Sequence, residues 1–135
     1  MSNKIKLTRQ DAFRFLKSGV ARWPKETLIY LDPPYYVKGR DLYYDFYEQE
    51  DHARVAKLIQ EPNIPQKWIV SYDNVRPIRD LYKGVRHVVY DIGYSARAAS
   101  RGSEVMFFCL GLKVPPLVGP INITQDNAGI IHRSA

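Results

Sequence analysis

At 135 residues with a formal charge of +6, the chain is long enough for one domain with a core. No apolar run approaches the ~20 residues of a membrane-crossing helix, and the opening Met1-Ser2-Asn3-Lys4 lacks the apolar stretch of a secretion signal. The single cysteine, Cys109, excludes an internal disulfide and fits a cytoplasmic location, while the basic balance favours a polyanionic partner such as nucleic acid.

In chain order, Thr8 to Lys17 reads as an amphipathic helix. Thr8 is its candidate N-cap, Asp11 approximates a capping box, Ala12, Phe13 and Leu16 share a face, and Gly19 is the stop. Residues 20–26, with Trp23-Pro24, lead to Thr27-Leu28-Ile29-Tyr30-Leu31, an apolar and β-branched run with the composition of a strand buried on both faces. Asp32-Pro33-Pro34 ends that strand, because proline fixes φ and has no N–H for the ladder. Residues 36–47 form a loop holding Tyr36, Tyr43, Tyr44, Phe46 and Tyr47 among Lys38, Gly39 and Arg40. That mixture suits gripping a nucleic-acid strand; packing of the tyrosines on neighbouring helices is the alternative.

Glu48 to Gln60 is a second helix with a His52, Val55, Ile59 face, and Glu61-Pro62 ends it. His52 is read as a packing residue rather than a general base. Lys67 to Tyr72 is the next buried strand. Asn74 is the expected cap of a helix Val75–Tyr82, with Pro77 in its first turn and Gly84 at its C-terminal end. Ser71-Tyr72-Asp73-Asn74 falls at the same sheet edge as Asp32 and could line an active site, although cap-and-turn chemistry alone accounts for Asp and Asn there. Val85–Tyr90 and Val105–Leu112 are two further strands, joined by a loop in which Arg97 and Arg101 are candidate phosphate contacts, with a solvated hairpin loop as the alternative. Cys109, inside the last apolar run, reads as a core thiol. Residues 1–112 are therefore the folded unit, and 113–135 a polar C-terminal tail without a core face.

The chemistry concentrates at the end of the first strand. A carboxylate (Asp32), a carbonyl (Pro33) and an aromatic ring (Tyr35) on a rigid turn suit methylation of an exocyclic amine on a nucleobase. The amine lone pair is delocalised into the ring; two acceptors holding its hydrogens would favour a pyramidal nitrogen facing a methyl donor, with Tyr35 stacked on a base taken out of its duplex. A bare strand–Pro-Pro turn with a solvated Asp and Tyr is the bland alternative.

Asp32-Pro33-Pro34-Tyr35 resembles the catalytic motif of the amino-methyltransferases. Its surroundings are similar to the DNA adenine methylase (Dam-like) family: Leu28 to Tyr36, Asp51-His52 opening a helix, Trp68 to Asn74, Tyr94-Ser95, Arg101 and Glu104 to Phe107. The resemblance runs in order from about Thr8 to Leu112. It implies an α/β chain with a partial Rossmann-like methyltransferase fold, the C-terminal half of the sheet with a terminal β-hairpin. It also implies S-adenosylmethionine-dependent N6-adenine methylation of DNA, as in restriction–modification, without a metal. Asp32, Pro33, Pro34 and Tyr35 would be catalytic, and Asp32 would also face the donor. Tyr36, Lys38, Arg40, Arg97 and Arg101 would meet DNA. Cys109 is not preceded by proline, unlike the nucleophile of cytosine-C5 methyltransferases.

The family's glycine-rich donor loop has no counterpart, since no two glycines here are separated by a single residue. This implies a fragment or one half of a split enzyme, with an open sheet edge that pairs with an N-terminal methyltransferase half or with a second copy. A non-catalytic remnant that binds nucleic acid or a partner subunit is the second reading. Methylation of RNA bases or of protein glutamine is the third, although that group more often has Asn where Asp32 stands.

Overall fold

Five strands form one mixed sheet in the computed structural model, which describes residues 4–34, 36, 49–92, 103–116 and 121–127. The strands are β1 (Leu28–Leu31), β2 (Lys67–Asp73), β3 (Arg86–Ile92), β4 (Glu104–Phe108) and β5 (Ile121–Asp126), and the helices α1 (Ala12–Arg22), α2 (Gln49–Ile59) and α3 (Arg76–Leu81). The order across the sheet is β1-β2-β4-β3-β5. β1 and β2 run parallel, with α2 in the connection between them. The β2–β4, β4–β3 and β3–β5 pairs are antiparallel.

The main core lies on one face of the sheet. Leu16 of α1, Val55, Ala56 and Ile59 of α2, and Ile78 of α3 pack there on Ile29, Trp68, Val70, Tyr72, Val89, Val105 and Phe107. A smaller cluster of Val88, Tyr90 and Phe108 occupies the opposite face, with Ile69, Met106, Leu112, Val114 and Ile123 against it. None of the three described helices contributes to that second cluster.

The α/β class, α2 with its buried His52, Val55 and Ile59 face, and the antiparallel hairpin of β3 and β4 agree with the sequence reading. The hairpin is not terminal, however. Residues 113–135 were expected to be a polar tail, yet 121–126 pair with β3 as β5, and Asn127 Oδ1 accepts from His87 N at 2.6 Å. The Ile-Asn-Ile-Thr alternation is the signal of that strand; its polar half concealed it.

β1 departs from the expectation of a strand buried on both faces. Its only strand partner among the described residues is β2, and its burial alternates: Ile29 is 6% exposed, Leu28 55% and Tyr30 54%. Apolar composition marks the strand but does not reveal how many of its faces are covered. β4 ends at Phe108 rather than Leu112, because Gly111 takes a positive φ and the Arg86 guanidinium donates to the Cys109 and Leu112 carbonyls.

Three helix boundaries also move. Asp11, not Thr8, caps α1, its Oδ2 accepting from Arg14 N at 2.9 Å. Gly19 lies inside α1 instead of stopping it: a Cβ there would run into the Trp23 indole, so glycine serves a close approach. The helix ends at Trp23, which precedes proline and is extended. Asn74 does not cap α3; its side chain donates to Ser103 Oγ and accepts from Arg79, leaving Val75 at the N-cap with no side-chain bond.

Candidate active site

The parallel register of β1 on β2 builds the site. Leu31 lies opposite Val70, so the next residues, Asp32 and Ser71, emerge side by side at the carboxyl end of the two strands. Ser71 Oγ donates to Asp32 Oδ1 at 3.1 Å, and Tyr30 Oη lies 2.9 Å from the same Ser71 oxygen. Ser71 has one hydroxyl proton. With that proton on Asp32, Tyr30 is the donor to Ser71, and a directed chain Tyr30→Ser71→Asp32 results.

β2 also holds the far end of the turn. Asp73 Oδ1 accepts from the Tyr36 backbone N–H at 3.0 Å. The Tyr36 ring meets the His52 ring at 5.3 Å between centroids and packs against the main core. His52 is 1% exposed, and its Nδ1 lies 2.7 Å from Tyr72 Oη. Burial lowers the His52 pKa from its ordinary value, opposed by the nearby charges of Asp73 and Asp51. The packing role expected of His52 therefore stands, and the tyrosine-packing alternative describes Tyr36.

A cleft of about 790 Å³ opens beside the turn. Tyr30 to Pro34 form one wall, Arg9 to Ala12 and Phe15 another, and Asp51 and Val55 of α2 complete it. Three carboxylates, Asp11, Asp32 and Asp51, thus border a space that also has an aromatic and an aliphatic side. This mixture accommodates a ligand that is cationic at one end and flat or apolar at the other. Among the described residues, no group of three or more His, Cys, Asp or Glu side chains is placed to hold a metal ion. None of the described helices is long and apolar enough to cross a membrane.

Of the site residues read from sequence, Asp32, Pro33 and Pro34 line this cleft together, and Tyr36 lies at the end of the same turn. Tyr35, Lys38, Arg40, Arg97 and Arg101 fall outside the described residues. The sequence reading missed Arg9, Gln10 and Asp11 as cleft residues, because only the path of α1 brings them to Asp32. Ser71 and Asp73 had a legible signal: two hydrogen-bonding residues at i, i+2 at a strand's carboxyl end share one face.

A family model described as D12 class N6 adenine-specific DNA methyltransferase matches residues 1–94. The match spans α1 to β3 and includes the turn and the β2 residues that hold it; β4 and β5 lie beyond it. No curated protein matches the chain.

Proposed function

The chain belongs to the D12 class N6 adenine-specific DNA methyltransferase family, and on that premise we propose that it presents adenine for S-adenosylmethionine-dependent N6 methylation in DNA. The observation that carries this reading is the rigid Asp32-Pro33-Pro34 turn at the carboxyl end of β1, bordering an acidic cleft. Asp32 and the Pro33 carbonyl accept the two hydrogens of the adenine amine, so its lone pair is turned out of conjugation. Pro34 keeps the turn in shape, and Tyr35 stacks on the extruded base. Lys38, Arg40, Arg97 and Arg101 neutralise phosphates, and Tyr36 stands at the exit of the turn.

The cleft suits the methyl donor. Its carboxylates match a cationic sulfonium and ammonium, and Phe15 offers a face to a flat heterocycle. When bound, the donor supplies an electrophilic methyl group. The chain's own glycines do not form a glycine-rich donor loop, so on this reading a segment other than residues 1–135 grips the rest of the donor. The outer edge of β1, flanked by half-exposed Leu28 and Tyr30, is the proposed seat of that segment's strand.

The same lack of a donor loop favours a second reading, a non-catalytic unit that binds DNA or a partner polypeptide. Donor binding separates the two: calorimetric titration with S-adenosylmethionine is silent on the second reading, with or without the partner segment. On the first, Asp32→Ala in the methylating assembly lowers kcat by roughly 10²–10³, the usual cost of a lost preorganised hydrogen bond, while its thermal melt stays near that of the parent. A variant that melts normally and methylates within about threefold of the parent sinks the assignment, because that is far short of the effect a transition-state acceptor has. Residues 1–135 alone are expected to turn over far below about one per second, the low end of ordinary enzymes.

A further inference from the structure

We propose that Ser71 and Asp73 are positioning residues that clamp the two ends of the 32–36 turn, so that β2 sets the direction in which Asp32 presents its second carboxylate oxygen. The clamp itself rests on distances; its consequence for rate rests on the methyl transfer proposed above.

Ser71 holds Asp32 Oδ1 at 3.1 Å, and Asp73 holds the Tyr36 N–H at 3.0 Å. The two residues alternate with Tyr72, which points to the other face and bonds His52. A single strand end thus grips the turn at both anchor points, while two prolines restrict φ between them. The χ2 torsion of an aspartate is broad when nothing holds it. Ser71, itself held by Tyr30, removes that freedom by engaging Oδ1. Among the described residues no donor meets Oδ2, which leaves that oxygen for an incoming amine. Ser71 is 5% exposed whereas Asp32 is exposed, so the bond ties an open carboxylate to a buried hydroxyl.

The register adds a second argument. In-register parallel pairing already sets Asp32 and Ser71 side by side. A hydroxyl at position 71 therefore reaches the carboxylate without moving the backbone. Alanine there removes the donor and changes the volume little; threonine keeps the donor.

The test uses four variants of the 1–135 chain: Ser71→Ala, Ser71→Thr, Asp73→Ala and Asp73→Asn. Amide hydrogen exchange at Tyr36, read by NMR, is expected to be about tenfold faster or more in Asp73→Ala, in keeping with the loss of one hydrogen bond, and close to the parent in Asp73→Asn. The side-chain carboxyl ¹³C resonance of Asp32 is expected to move in Ser71→Ala and to return towards the parent value in Ser71→Thr. In the methylating assembly, Ser71→Ala is expected to lower kcat roughly ten- to a hundredfold, the scale of a displaced reacting group, with KM for DNA and donor nearly unchanged and with rescue by Ser71→Thr. Unchanged Tyr36 exchange in Asp73→Ala, or an unmoved Asp32 carboxyl signal in Ser71→Ala, overturns the clamp. A Ser71→Ala effect confined to KM, or one that Ser71→Thr fails to rescue, overturns the clamp's consequence for rate. Full activity in Asp32→Ala would overturn the proposed chemistry alone, since the two NMR readouts decide the clamp without any turnover.

Discussion

On the face of the sheet that carries Val70, Tyr72, Val105 and Phe107, three helices close over the side chains. On the opposite face, Val88, Tyr90 and Phe108 are met by Leu112, Val114 and Ile123, and towards β1 Leu28 and Tyr30 remain half exposed. The same strands supply both faces, so the difference comes from what covers them. The helical face holds the fold together. The other face bears the Tyr30–Ser71–Asp32 chain, while α1 with its cap and α2 lend Asp11, Phe15 and Asp51 to the cleft from the helical side. Asp32 therefore rises from the less covered side of a rigid support and meets the cleft at its edge. Functional sites are drawn from such less committed regions.

The sharpest way to break this comparison is to truncate one side chain on each face. Phe107 is fully buried and stacks on Tyr82 at 4.5 Å between centroids; Phe107→Ala is expected to cost about 3–5 kcal/mol in urea unfolding, as for other buried aromatics. Met106, its neighbour on the opposite face, is only half-buried, and Met106→Ala is expected to cost clearly less. Equal losses would mean that the two faces contribute alike.

A smaller effect reads the helical face through pH. Burial lowers the His52 pKa below 6.5, so above that pH both the folded and the unfolded chain carry it neutral and stability is fully present. As pH falls below 6.5 the unfolded chain takes a proton that the folded chain resists, and stability declines until the lowered folded value is reached. The slope is at most about 1.4 kcal/mol per pH unit for one proton. Urea unfolding across this range should show a shallower decline in His52→Gln than in the parent. Parallel curves would remove His52 from the account.

The smallest change in stability is expected at the exposed edge. Leu28→Ser should alter the melt by no more than about 0.5 kcal/mol, as for other surface positions. Sedimentation over a wide concentration range should nonetheless show weaker association than in the parent, because an apolar side chain flanking a strand edge that has no partner among the described residues favours pairing. A parent chain that sediments as a clean monomer and binds no apolar dye would contradict the partner-seeking edge.

Much of this was readable from particular residues. Leu28 to Leu31 followed by Asp32-Pro33-Pro34 marked both a strand and its abrupt end, since a β-branched apolar run and a proline pair are local signals. The spacing of His52, Val55 and Ile59 marked the buried side of α2, and Gly84 takes the positive φ expected at the end of α3. The misreadings share a cause. Local chemistry marks Gly19 as a helix stop, whereas its neighbour in space, Trp23, decides the choice of glycine. Residues 121–126 looked polar because one side of an edge strand faces solvent.

What the sequence determined by itself is therefore what lies within a few residues of chain: the strand–turn chemistry at Asp32, the amphipathic side of α2, and a family assignment that spans residues 1–94. Only the tertiary structure decided which groups meet. Ser71 lies 39 residues beyond Asp32 and Asp73 37 beyond Tyr36, and the parallel register of β1 on β2 brings both to the turn. Arg9 and Asp11 reach the same cleft through the packing of α1 on α2. Hydrogen bonding and side-chain burial act through space over a few ångströms, so contacts between segments far apart in sequence depend on register and helix placement, which no local pattern encodes.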